Sequence, residues 1–84
     1  MPTINRTYDP ANGFQTFVQD APFDGSITAT NNGSFSVYVR DETLAQDAAK
    51  ITPGATKTFA VVRGHTYTVQ VMGDVSITYS IDRA

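Results

Sequence analysis

The sequence predicts an antiparallel all-β sandwich, jelly-roll-like, with seven to eight strands and an extended N-terminal arm. Three observations carry this. Tyr67, Val69 and Val71 alternate with Thr66, Thr68 and Gln70, and Val75, Ile77, Tyr79 and Ile81 alternate with Ser76, Thr78 and Ser80. A period of two sustained over such runs is the pattern of half-buried strands. Short glycine-bearing turns, Asn31-Asn32-Gly33, Arg63-Gly64-His65 and Met72-Gly73-Asp74, separate the runs. Charged residues make up only 17% of the chain. That is below the usual quarter or so, and serine, threonine, glycine and asparagine fill the gap, as in many all-β surface proteins.

Taken in order, residues 1–13 read as a connector arm and residues 14–84 as the sandwich domain. Pro2 and Pro10 bracket the arm and Asn12-Gly13 closes it with a turn signal. Between the prolines, Ile4, Arg6 and Tyr8 point one way and Thr3, Asn5 and Thr7 the other. The segment is extended but too polar to anchor itself. Its two readings are a loosely docked terminus and a strand that pairs with another subunit.

Residues 14–19 form a short strand, with Phe14 and Phe17 or Val18 reaching the core. Residues 20–25 form a loop containing Pro22 and Gly25. Ile27 and Ala29 face inward on the next strand, and Phe35, Val37 and Val39 on the one after it. Residues 41–50 read as a connection between sheets, with room for a helical turn that spaces Leu44 and Ala48 on one side. Their alanines favour helix, although helices this short are marginal alone. Thr52-Pro53-Gly54 ends the connection, and Phe59 and Val61 face inward on the strand that follows.

The inward residues of every well-defined strand are odd-numbered. Three-residue hairpin loops preserve that parity. They would set Ile27 against Val37, Ala29 against Phe35, Val61 against Tyr67, Val69 against Ile77 and Tyr67 against Tyr79. Consecutive strands lying in opposite sheets, as in a jelly roll, satisfy the parity equally.

The residues carry little chemistry. The net charge is −2 and the six basic residues are scattered, so no nucleic-acid footprint is expected. With no cysteine, disulfides and thiolate metal sites are excluded. No apolar run reaches the roughly 18–20 residues of a membrane helix, and no apolar h-region opens the chain. His65 is the only histidine and, in a turn, is expected to be solvated. Asp41 and Glu42 are adjacent and should point to opposite faces. Asp20 and Asp24 flank one loop, without the dense acidic cluster that calcium needs. No enzyme activity, cofactor or metal is therefore expected. Asn5-Arg6-Thr7 and Asn32-Gly33-Ser34 match the glycosylation acceptor pattern, one that arises often by chance. The chain has 84 residues, near the size where a single core supplies little more than about 3–5 kcal/mol and oligomerisation often makes up the difference.

The stretches Asn32-Gly33-Ser34-Phe35-Ser36-Val37-Tyr38-Val39 and Thr52-Pro53-Gly54-Ala55-Thr56-Lys57-Thr58-Phe59-Ala60-Val61, with the two C-terminal runs, resemble the small jelly-roll subunits of bacterial endospore appendages. The resemblance implies a non-enzymatic subunit that self-assembles head to tail into an extracellular, spore-surface filament. Its partners would be copies of itself and an anchoring protein, with no nucleic acid and no membrane insertion. It also implies that the connector residues Thr3, Ile4, Asn5, Arg6, Thr7 and Tyr8 engage a neighbouring subunit and become ordered there. On that view, removing residues 1–12 leaves a folded monomer. Many appendage subunits carry cross-linking cysteines; this chain has none, so its filament would be held non-covalently. Proteins of the spore surface can be made in the mother cell, which fits the lack of a secretion signal in this numbering. Carbohydrate-binding modules and phage virion decoration or fibre domains share the pattern and form the alternative reading.

Overall fold

The computed structural model describes residues 3–9 and 13–83. Eight strands form, β1 (Thr3–Tyr8), β2 (Gln15–Val18), β3 (Gly25–Asn31), β4 (Val37–Asp41), β5 (Gln46–Ile51), β6 (Thr56–Val61), β7 (Tyr67–Val71) and β8 (Val75–Arg83). They make two four-stranded sheets, ordered β1-β8-β3-β6 and β2-β7-β4-β5, with every pairing antiparallel. This is jelly-roll wiring. Among the described strands, only β4 and β5 are consecutive in one sheet; every other step of the chain crosses to the facing sheet.

The odd-numbered parity holds. Ile27, Ala29, Val37, Val39, Phe59, Val61, Tyr67, Val69, Val71, Val75, Ile77 and Tyr79 are all buried. The hairpins drawn from it do not form. Ile27 faces Phe59 and Ile81 across the ladder, not Val37; Tyr67 and Tyr79 lie in different sheets. Alternation records which side chains are buried, and two facing sheets bury the same set whichever sheet a strand joins. Phe35 and Phe14 also differ from expectation. Phe35 precedes β4 and is 46% exposed, and Phe14 precedes β2 and is 55% exposed. The Phe35 ring lies over Gly73, where an added Cβ would come within 2.4 Å of it, so a side chain at that position of the β7–β8 turn would displace the ring.

Residues 46–51, read from the sequence as part of a connection, form the edge strand β5. Pairing with β4 and burial of Ile51 outweigh the helix preference of Ala48 and Ala49. The β4–β5 turn is tight. The Asp41 carboxylate accepts the Thr43 and Leu44 amides, at 3.0 and 3.2 Å, and Ala45 takes the left-handed conformation with φ 54°.

Aromatic rings fill the middle of the sandwich. Phe17 lies 4.7 Å from Tyr79, 6.1 Å from Phe59 and 6.2 Å from Tyr8, centroid to centroid. Asn31 is, with Asp41, one of two buried polar residues among those described, and is at 0% exposure. Its side-chain amide donates to the carbonyls of Phe35 (2.6 Å) and Ile51 (3.0 Å), and its Oδ1 accepts the Gly33 amide at 2.8 Å. Its backbone exchanges hydrogen bonds with Ala55 and Gly54. One side chain thus pins the β3–β4 turn to the end of β5, and the same residue's backbone pins the β5–β6 turn.

Candidate functional site on the N-terminal strand

β1 is the edge of the first sheet. It pairs with β8 in the register Ile4↔Tyr79, Arg6↔Ile77 and Tyr8↔Val75. The segment expected to order only against a neighbour is therefore already paired within its own chain. The reason lies in the even-numbered face. Ile4 packs against the core, and Tyr8 is fully within it, 1% exposed and stacked on Phe17. Removing residues 1–12 would uncover the β8 edge and take Tyr8 out of the core, so the truncated chain is expected to be weaker than the sequence implied.

Arg6 is the second anchor. Its guanidinium crosses from the first sheet to the second and donates to the carbonyls of Phe17 (2.8 Å) and Thr16 (3.2 Å) on β2. It also lies 5.2 Å from the Tyr8 ring centre. A cationic donor on β2's outer carbonyls satisfies groups that an edge strand otherwise leaves open. Asn5 and Thr7 are exposed, and Asn5 accepts a hydrogen bond from Thr78. Thr3 pairs through its backbone with Ser80. Gln15 closes the connection by bonding both the amide and the carbonyl of Asp9.

One polar atom on β1 is unmatched. The Tyr8 hydroxyl is buried and has no hydrogen-bond partner among the described residues. Burial, offset in part by the Arg6 charge, pushes its pKa up to about 12. An orphaned buried hydroxyl costs about 1–3 kcal/mol, so β1 is held in its place at a penalty.

At the opposite end of the sandwich His65 departs from the solvated turn residue expected of it. Its Nδ1 lies 2.9 Å from Asp41 Oδ2, and Asp41 is buried. Glu42 stays exposed, so the two adjacent acids do point apart. Around the pair, the Ala21 amide donates to the His65 carbonyl and the Glu42 amide to the Thr66 carbonyl. The Asp20 amide donates to the Thr66 hydroxyl. Three loops meet there. Burial pushes the Asp41 carboxyl up. The His65 hydrogen bond, the Leu44 amide, the His65 charge and the Thr43 amide outweigh burial and hold it below the usual carboxylate value. Stability from this pair is present above the ordinary carboxylate pKa, near 4, and is lost as pH falls through the lower folded value. The Asp41→Asn variant should therefore be less stable at neutral pH and lose less on acidification. Urea midpoints from pH 7 down to pH 2 would check this; parallel curves for the two proteins would refute it.

No nucleophile or metal set assembles around His65. The nearby Thr43 and Thr66 hydroxyls accept backbone amides, and no group of three His, Asp or Glu side chains could hold a metal among the described residues. Asp24, one of the two loop acids, accepts the Arg63 amide at 2.9 Å. Among the described residues, no helix is long and apolar enough to cross a membrane. No protein-family model and no curated protein matches the chain. What fold and site define is a small jelly-roll domain whose first described strand is an edge element held by its ladder to β8 and by Ile4, Arg6 and Tyr8.

Proposed function

We propose that the protein is a structural subunit that self-assembles without covalent links into an extracellular, spore-surface filament, donating β1 to the sheet of a neighbouring copy. The observation that carries the reading is β1 itself. It occupies a sheet edge, paired on one side only, and Tyr8, one of the side chains that fasten it, carries a hydroxyl unmatched among the described residues. A neighbour's β1 entering the same place beside β8 would make the same main-chain ladder, with Ile4 and Tyr8 setting the register. Exchange of an identical element between copies is a low-cost route to assembly, and a head-to-tail contact that does not close into a ring propagates as a fibre. The resemblance of residues 32–39 and 52–61 to endospore-appendage subunits supports the same reading.

The test uses three samples. Electron micrographs of the purified full chain should show filaments, and the chain lacking residues 1–12 should show none. A synthetic peptide of residues 1–12, added to the truncated chain, should raise its melting temperature in a concentration-dependent way. Filaments from the truncated chain, or a peptide without effect on it, would overturn the strand-donation reading.

A further inference from the structure

The outer face of the β1-β8-β3-β6 sheet is built of small polar side chains. Across it the ladder aligns Asn5, Thr78, Thr30 and Thr56 in one row and Ser80, Thr28 and Thr58 in the next. These rows hold hydroxyls and amides and no charge. The side chains bond to one another across the strands. Thr28 and Thr58 share a 2.9 Å hydroxyl contact, Thr30 and Thr56 one of 2.8 Å, and the Asn32 amide donates to the Thr78 hydroxyl at 2.7 Å. Their rotamers are fixed before any ligand arrives, which lowers the ordering cost of binding.

The face is also a trough. Thr28, Thr30, Thr78 and Ser80 on the two central strands are half-buried, while Asn5, Thr7, Thr56 and Thr58 on the flanking strands are exposed. Two depressions lie along it. One, of about 160 Å³, is lined by Thr28, Thr30, Thr78, Tyr79 and Ser80, the Tyr79 ring itself being buried against Phe17; the other, of about 230 Å³, by Gly25, Ser26, Asp82 and Arg83. They follow successive β3–β8 pairs, Thr30↔Thr78, Thr28↔Ser80, Ser26↔Asp82 and Gly25↔Arg83. The trough therefore runs along the strands for about 17 Å at the usual strand rise. Gly25 forms part of its floor: an added Cβ would sit 2.1 Å from the Asp82 carbonyl oxygen.

From this geometry we propose that the trough binds a linear, neutral polysaccharide. The hydroxyl rows carry no charge and so suit an uncharged ligand, and the carboxylate of Asp82 at the far end disfavours phosphate polymers. A peptide strand would seek backbone partners at a sheet edge, whereas this is a face, and its partners are side-chain hydroxyls. A polymer that carries hydroxyls at every unit matches a row of fixed donors and acceptors. With no aromatic platform in these rows, the sugar is held by hydroxyl contacts rather than by stacking. At the far end Asp82 adds one strong acceptor, while the Arg83 guanidinium is turned over the Phe23 ring, 5.3 Å from its centre. The site is present in each copy of the chain, so the proposal stands or falls apart from filament formation.

Amide NMR shifts of the full chain, titrated in turn with cellohexaose, xylohexaose, laminarihexaose and chitohexaose, test it directly. At least one of these sugars should shift residues 26–30 and 76–82 and leave the outer face of the other sheet unmoved. Thr30→Val with Thr78→Val, which keeps shape and removes two hydroxyls, should weaken that binding at least about tenfold. Thr16→Val on the opposite face should leave it unchanged. Should the valine pair fail to fold, Thr58→Arg at the exposed rim serves the same purpose by obstructing the trough. Silence with all four sugars, shifts centred elsewhere, or full binding by the trough variants would overturn the proposal. Restraint of ice growth without sugar binding would overturn it too, by giving the face a different occupant.

Discussion

Tyr8→Ala is expected to lower the stability of the chain by about 3–5 kcal/mol, the usual loss for a fully buried aromatic. At roughly 0.05–0.15 kcal/mol per residue, an 84-residue domain has only about 4–13 kcal/mol in all, so this one change removes much of it. The ring spans the seam between the sheets, stacked on Phe17. Tyr8→Phe should act in the opposite direction. It keeps the ring and removes a buried hydroxyl that has no partner among the described residues, so it should gain about 1 kcal/mol. The two variants also part at alkaline pH. Tyr8 titrates at about 12 in the folded chain against an ordinary value near 10. The folded form thus holds its proton where the unfolded form releases it, and stability is lost as pH rises from 10 through 12. Tyr8→Phe should lose less over that range. Urea melts at pH 7 and pH 11 would measure both effects; a phenylalanine variant less stable than the parent would mean that the hydroxyl does have a partner.

Asn31→Ala should cost about 2–4 kcal/mol, although the residue lies in a segment that looks like an ordinary polar turn. Three side-chain hydrogen bonds disappear, and the carbonyls of Phe35 and Ile51 lose their donor in a site with no exposure. Asn31→Asp is the sharper test. It preserves the shape and the acceptor for Gly33 but turns a carboxylate toward two carbonyls. Burial and those carbonyls favour the protonated acid, so this variant should be strongly destabilised at pH 7 and recover as the pH is lowered. A thermal melt series from pH 7 to pH 4 would show that recovery, and an aspartate variant as stable as the parent at pH 7 would refute the role given to the amide.

The residues that could be read without the structure are those whose burial repeats every second position. Tyr67 to Val71 and Val75 to Ile81 announce two strands, and the inward set from Ile27 to Tyr79 was legible as odd numbers. Sheet membership was not, because facing sheets bury the same alternation and the turns at Gly33, Gly64 and Gly73 suit a hairpin as well as a crossing. β5 was hidden by Ala48 and Ala49, whose small side chains suit helix and strand alike. The anchors of β1 were half visible: alternation placed Ile4, Arg6 and Tyr8 on one side, but nothing local says that Arg6 reaches carbonyls ten and eleven positions along the chain. The Asp41–His65 pair spans 24 positions and leaves no periodic trace at all. Side-chain bonds between distant loops depend on the finished topology, and single-residue patterns do not encode them.

The strand order carries a consequence for the way the chain is made. β1 is made before the other seven described strands, yet its partner β8 is made after them, with Thr3 facing Ser80. At roughly 5–20 residues per second, several seconds of translation pass before that partner exists. β8 is also an interior strand of its sheet, between β1 and β3. A chain cut short before Val75 has therefore lost an interior strand of its sheet rather than a fringe, and both β1 and β3 stand without a ladder on that side. The first sheet is therefore completed only once β8 has been made, and β1 is without its partner until then.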